Sequence, residues 1–202
     1  MSQLIFIEKA RAAFLESVAV KQKVVENHLE NLETIAFTIA SSIEKGGTLF
    51  LCGNGGSLAD AQHLAAELLV RLHPHVNRSA LPALCLAVDM SFVTACGNDY
   101  SFDEIFSRSL EGLGRKGDCL LGISTSGNSK NVIKALQKAK DMGVHALGFL
   151  GGSGGQMLSH CDHAFVVPSE NTARIQESHI TAGHVVMEYV EDYLMHKDFI
   201  RG

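Results

Sequence analysis

The chain has 202 residues, 46% of them hydrophobic and 19% charged, with a formal net charge of −5. That balance excludes a disordered chain, and without a clustered basic face it argues against a nucleic-acid surface. No run is apolar and long enough for a signal-peptide core or a membrane span. The opening "MSQLIFIEKARAAFLES" holds only a short apolar stretch before Glu8 and Lys9. The expectation is a cytoplasmic protein. Its five cysteines (Cys52, Cys85, Cys96, Cys119, Cys161) form no CxxC pair and lie mostly in apolar runs, so they read as reduced thiols.

Taken along the chain, residues 3–26 and 27–44 predict two amphipathic helices. Apolar side chains recur at three and four, as in Phe6, Ala10, Ala13, Phe14 and Val18. "KGG" at 45–47 ends the second. From there short apolar runs alternate with helical stretches. Strands are expected at 48–52, 83–88, 119–124, 145–150 and 163–167, and helices at about 57–72, 102–112, 128–142 and 154–160. A final helix is expected over 172–196. Continuous apolar strands joined by helices imply a parallel sheet covered on both faces. The expected fold is an open, doubly wound, five-stranded αβα sandwich in one domain over 1–202. Residues 1–44 form a helical extension and 45–202 the core and last helix. In such sheets ligands sit beyond the carboxyl ends of the strands, which singles out "GNGGS" at 53–57 and "STSGNS" at 124–129.

"GNGGS" is not a dinucleotide fingerprint, because Leu58 stands where GxGxxG needs glycine, and no GxxxxGK[ST] occurs. "STSGNS" offers the hydroxyls of Ser124, Thr125, Ser126 and Ser129, with Gly127 to turn the backbone. A helix N-terminus presents free N–H groups and a partial positive charge, both suited to phosphate. One Ser or Thr would suffice as a helix cap; the surplus of hydroxyls favours a phosphate cradle.

His63 and Glu67 stand four apart, hence on one helix face. A metal site, a catalytic pair or an ordinary hydrogen bond would each explain them. The last helix adds Gln176, Glu177, His179 and His184, and its period does not say which of these matter. Gln176 and His184 lie about 12 Å apart along it, so they meet at one point only by leaning together or across subunits. "HPH" at 73–75 reads as a solvated turn rather than a metal site.

"CGNGGSLADAQHLAAEL", "GNDYSFDEIFSR", "GDCLLGISTSGNSKNVIKAL" and "RIQESHITAGH", in that order, resemble the phosphoheptose (sedoheptulose 7-phosphate) isomerases, a family of sugar-isomerase (SIS) domain proteins. The resemblance covers residue 45 to the C-terminus. It implies a flavodoxin-like fold, a sugar-phosphate substrate, and a homotetramer with active sites built between subunits. The apolar stripe of the first helix, with little room to bury it in one chain, agrees with the tetramer. The resemblance implies one Zn²⁺ per subunit on His63, Glu67, Gln176 and His184, and so selects His184 over His179. It implies catalysis by Glu67 and His184. It places substrate contacts at Asn54, Gly55, Gly56, Glu67, Asn98, Asp99, Ser124, Thr125, Ser126, Ser129 and Gln176. Ala173 departs from members with aspartate there, a variation in substrate contact. The implied reaction is the aldose–ketose isomerisation that starts bacterial ADP- and GDP-heptose synthesis and feeds lipopolysaccharide. Two rivals share the resemblance: a non-catalytic SIS module binding the replication initiator, and an isomerase of another sugar phosphate. The former lack the acidic position of the first core helix, whereas Glu67 and His184 are both present here.

Overall fold

The computed structural model describes residues 3–197, 199 and 200. Helices α1 (Gln3–Asn27) and α2 (Leu29–Glu44) precede an alternating core. The core runs β1 (Leu49–Gly53), α3 (Gly56–Leu69), β2 (Ala83–Cys85), α4 (Met90–Asp99), α5 (Ile105–Leu113), β3 (Cys119–Ser124), α6 (Lys130–Met142), β4 (His145–Gly151), β5 (His163–Val167) and α7 (Thr172–His196). The five strands form one all-parallel sheet in the order β2-β1-β3-β4-β5. The chain steps outward from β1 to β2, then returns to the other side of β1 for β3. The switch point therefore lies between β1 and β3, whose carboxyl ends carry the two glycine- and hydroxyl-rich loops.

Side chains that alternate along each strand build two cores. Leu49, Leu51, Leu121, Ile123, Leu147 and Phe149 face α2, α3 and α7, with Val20 and Val24 of α1 joining them. Phe50, Cys52, Leu120, Ala146 and Leu150 face the other way, onto α5 and α6. Helices α3 and α7 are thus neighbours on one face. Where they cross, Gly183 takes the place of a side chain: a Cβ there would come within 2.6 Å of Leu64.

Four cysteines are buried and Cys161 half-buried, all free. Burial pushes the thiols of Cys85, Cys119 and Cys161 up to about 12 and raises Cys52 also, so they behave as small apolar groups. No described helix is long and apolar enough to cross a membrane.

The elements depart from expectation in four places. The strand expected over 83–88 ends at Cys85, and Ala87 takes a left-handed φ of 65°. The helix expected at 102–112 is split into a 3-10 turn at Phe102–Glu104 and α5. The segment at 154–160 is a 3-10 helix at Gln156–His160, its entry bent by Gly154 and Gly155. Helix α4 was not expected. Asp89 starts it by accepting the Ser91 and Phe92 N–H groups at 2.8 and 3.4 Å, but only Cys96 along it is buried, so the apolar period that marks a packed helix is missing.

Gly127, at φ 64°, lies so close to the 152–155 turn that a Cβ would fall 2.0 Å from the Gly154 carbonyl oxygen. Gly46, at φ 87°, has open space around it. Gly127→Ala should cost at least about 2 kcal/mol, from left-handed strain and the clash together, while Gly46→Ala costs about 1. Urea denaturation of the two variants checks the difference.

Candidate active site

Helices α3 and α7 bring three ligating side chains to one point. His63 Nε2 lies 3.2 Å from Glu67 Oε1 on its own helix and 2.8 Å from His184 Nε2 across the gap. One donor atom from each of His63, Glu67 and His184 falls within 4.8 Å of the others. The cluster opens to the surface: the His63 side chain is 47% exposed and that of Glu67 16%. Two imidazole nitrogens and a carboxylate oxygen are a donor set suited to Zn²⁺. The same groups can accept and release protons at a reacting carbon and oxygen.

Asp60, one turn before His63, was not singled out from the sequence. Burial holds its carboxyl above the usual carboxylate range, against the pull of His63 and His184. Its Oδ2 is buried and unpartnered among the described residues. The signal was available, since positions 60, 63 and 67 share a helix face, but an aspartate near a helix start is ordinarily a cap.

His179 lies elsewhere. It is fully buried against Phe149 and Phe165, and its Nε2–H donates to the Leu150 carbonyl at 2.9 Å. The structure therefore separates it from His184 and assigns it to the core. Gln176 packs its amide on Gly56, where an added Cβ would meet Nε2 at 2.2 Å. Gly56 precedes His63 by about 10 Å of helix, so Gln176 stands two turns from the cluster on the side of the 53–57 loop.

At the carboxyl ends of β1 and β3 two helices begin without side-chain caps. Gly55 precedes α3 with φ 54° and Ser129 precedes α6, and neither makes a side-chain cap bond. The Ser129 hydroxyl instead meets that of Ser124 at 2.9 Å. The capping role that would explain the serines structurally is therefore absent at Ser129, while the Val132 N–H in the first turn of α6 is taken by the Asn131 side chain at 3.0 Å and that of Ser57 in α3 by the Asn54 carbonyl at 3.0 Å. Asn54 and Asn131 tie the loops together through two reciprocal amide bonds of 2.9 Å. Asn131, 2% exposed, was also missed. Ser126 and Asn128 brace the turn, the Asn128 side chain donating to the Ser126 carbonyl at 2.9 Å and accepting from Gln156 N–H at 3.0 Å. Thr125 is half-buried beside them and Ser126 is exposed.

Asn98 and Asp99 sit on the exposed last turn of α4, bonded to each other at 2.8 Å. No hydrogen bond joins them to the other site residues among those described. "HPH" forms a turn, His73 stacking on His75 and pairing with Glu188 at 3.2 Å. A groove of about 610 Å³ lies at the amino ends of the strands, lined by Lys45, Arg115, Lys116 and Asp118. Its buried acid is occupied, since Asp118 accepts the N–H groups of Thr48 and Arg115 at 2.8 and 2.7 Å. It offers no group for proton transfer comparable to the cluster.

Burial holds the His179 pKa down to about 4, against the opposing Leu150 hydrogen bond. An unfolded histidine titrates near 6.5. Between those values the unfolded chain binds a proton that the fold does not, so stability falls as pH falls through this window and is unaffected above it. The loss should total a few kcal/mol, at about 1.4 kcal/mol per unit. His179→Gln, which keeps the donor to Leu150 and does not titrate, should flatten urea-unfolding stability between pH 7 and 5.

Residues 13–151 match the family described as the SIS domain. A phosphoheptose isomerase from Chlorobaculum parvum is 51% identical over 181 residues, 89% of this chain and 87% of that protein. The solved structure of a phosphoheptose isomerase from Neisseria gonorrhoeae is similar at a TM-score of 0.87 and 39% identity, covering 93% of this chain and 99% of the other. One from Francisella tularensis gives a TM-score of 0.89 at 34% identity, over 95% of this chain and 100% of the other.

Proposed function

We infer the working of the site from one premise: the chain belongs to the phosphoheptose isomerase family of SIS-domain proteins. It is a sugar-phosphate isomerase, interconverting D-sedoheptulose 7-phosphate and D-glycero-D-manno-heptose 7-phosphate. The observation that carries the site assignment is the convergence of His63, Glu67 and His184 from two helices. Moving a carbonyl from C2 to C1 needs a base at carbon and an acid at oxygen. Glu67 takes the proton from C1 and returns it at C2. His184 gives a proton to the C2 oxygen and takes one from the C1 hydroxyl. The enediol between these steps is redox-neutral.

His63, Glu67, Gln176 and His184 would hold Zn²⁺, which when bound supplies Lewis-acid stabilisation of developing charge on the enediol oxygens. Gln176 joins that set by reaching along α7 or from a neighbouring subunit. The phosphate rests on Ser124, Thr125, Ser126, Ser129 and the α6 N-terminus, with Asn54, Gly55, Gly56 and Gln176 along the carbon chain. The roughly 10 Å from the start of α3 to His63 suits a substrate of several carbons with phosphate at the far end. Asn98 and Asp99 contribute substrate contacts from α4. The cytoplasm is the proposed location, and the product would feed nucleotide-activated heptose and lipopolysaccharide.

The isomerase reading rather than the non-catalytic module rests on Glu67 and His184 both being present at the cluster. Incubation of the pure protein with sedoheptulose 7-phosphate should yield the aldoheptose 7-phosphate. Glu67→Gln should lower kcat by roughly a hundredfold or more and abolish deuterium uptake from D₂O at the reacting carbon. Metal content measured in the same sample separates lost proton transfer from lost zinc. A zinc-loaded variant with ordinary turnover removes Glu67 from the chemistry. Chelation should lower wild-type activity and Zn²⁺ restore it.

The assembly is a homotetramer in this reading. Leu4, Phe6, Phe14 and Val18 of α1 are each more than 60% exposed, an apolar stripe that a second copy would cover. Light scattering should give four chains per particle, and an active monomer would refute it.

A further inference from the structure

We propose that Arg78 and Glu191 are positioning residues that set the spacing of α3 and α7 and so hold His63, Glu67 and His184 together; this rests on the reading of that cluster as the active site. Arg78 lies in the connection from α3 to β2, outside every sequence motif singled out for chemistry. Its side chain is 0% exposed and that of Glu191 1%. The guanidinium caps the end of α3. Its Nη2 donates to the backbone carbonyl of Glu67 at 2.8 Å, and Nη1 donates to that of Leu68 at 2.9 Å and of Ser79 at 3.0 Å. Its Nε donates to the Glu191 carboxylate on α7, which also accepts the Leu72 N–H at 3.5 Å.

The anchor points are specific. On α3 the carbonyl held is that of Glu67 itself, in the last turn where helix carbonyls lack intrahelical partners. On α7 Glu191 follows His184 by about two turns and lies on the same face. The two helices run side by side and meet at three levels: Gln176 on Gly56, Gly183 and His184 on Leu64 and His63, and Glu191 through Arg78 on Glu67 and Leu68. Glycines let the first two levels close. The third is closed by a buried ion pair, and it fixes the helix end that carries Glu67.

Stability alone is a poor account of this pair. A buried ion pair seldom stabilises more than a packed apolar pair of similar volume, because both charges lose their water. Here Glu191 Oε1 is buried with no partner among the described residues, an uncompensated cost. What the guanidinium supplies, and an apolar residue could not, is a rigid planar fork that bonds several acceptors on two elements at once.

Arg78→Lys keeps the charge and loses the fork. Glu191→Gln keeps an acceptor for Arg78 and loses the charge. Partners that orient metal ligands from outside typically change metal affinity or activity about 10- to 100-fold. Both variants should keep wild-type far-UV circular dichroism yet bind Zn²⁺ at least about tenfold more weakly in competition with a chromogenic chelator. Their kcat should fall by a similar factor while KM stays within about threefold, since the phosphate loop is untouched. In the metal-free proteins, NMR of ring nitrogens should show the His63–His184 hydrogen bond in wild type and its loss in the variants. Folded variants with wild-type zinc affinity, kcat and ring signals overturn the proposal, as does failure of both variants to fold, which would make the pair purely structural. If Arg78→Lys alone fails to fold, Glu191→Gln decides. Failure of the underlying reading looks different: the wild type would bind no zinc and Glu67→Gln would turn over normally.

Discussion

Everything at the cluster depends on how closely α3 approaches α7. The two helices lie on one face of the sheet and run parallel, Gly56 lying against Gln176 and His63 against His184. Their separation is then set by what stands between them. At Gly183 nothing does, and Leu64 fills the space a side chain would need. One residue further, His184 and His63 meet at 2.8 Å. An alanine at 183 would press into Leu64 and part the rings, so a contact of two apolar residues governs the distance between two polar ones. Close-packed interiors transmit a displacement in this way because they hold no slack.

The sequence made the sheet legible because its strands are buried on both faces. Continuous runs such as "CLLGIS" and "HALGFL" can be little else when helices separate them at this spacing, and β3 and β5 fall where expected. The long last helix was legible for the same reason, since a packed stripe repeats through it. Helix α4 was not, because its one buried residue, Cys96, leaves no period to read. The strand that ended early at Cys85 misled because Leu86 remains buried, its N–H still bonded to the Leu51 carbonyl of β1 at 2.8 Å, and the backbone turns away only at Ala87. Apolar content reports burial, and burial continues past the last paired residue.

Site residues divide along the same line. His63 and Glu67 were legible as a pair because both lie on one helix, where spacing alone sets proximity. Their meeting with His184 was not, since no period relates residues more than a hundred positions apart; the motif resemblance supplied it. Asp60, Asn131 and Arg78 were overlooked for one reason. Each has a commonplace local explanation, as cap, helix polar residue or loop cation, and what it lies near, His184 for Asp60, Asn54 for Asn131 and Glu191 for Arg78, appears only in the fold. The serines of 124–129 are the converse case: local capping explained them plausibly, and the Ser124–Ser129 contact removes that explanation at Ser129.

Two ends of the proposed substrate site are built differently, and the difference follows from what each must do. The phosphate end is made of loops bound to one another, Asn54 to Asn131 and Asn128 to Gln156, with glycine at 127 admitting the 152–155 turn at a distance no side chain would allow. Such a cradle needs rigidity and neutral donors, since a fixed anion is held by N–H groups already oriented. The chemical end is made of side chains on two helices, with half of the His63 surface open. Proton transfer needs water kept away from the reacting carbon, and within one chain nothing described covers His63. The apolar face of α1 is likewise uncovered. Both deficits would be met at once by subunits packing together, and in the proposed tetramer completion of the active site would depend on assembly rather than on folding of the single chain.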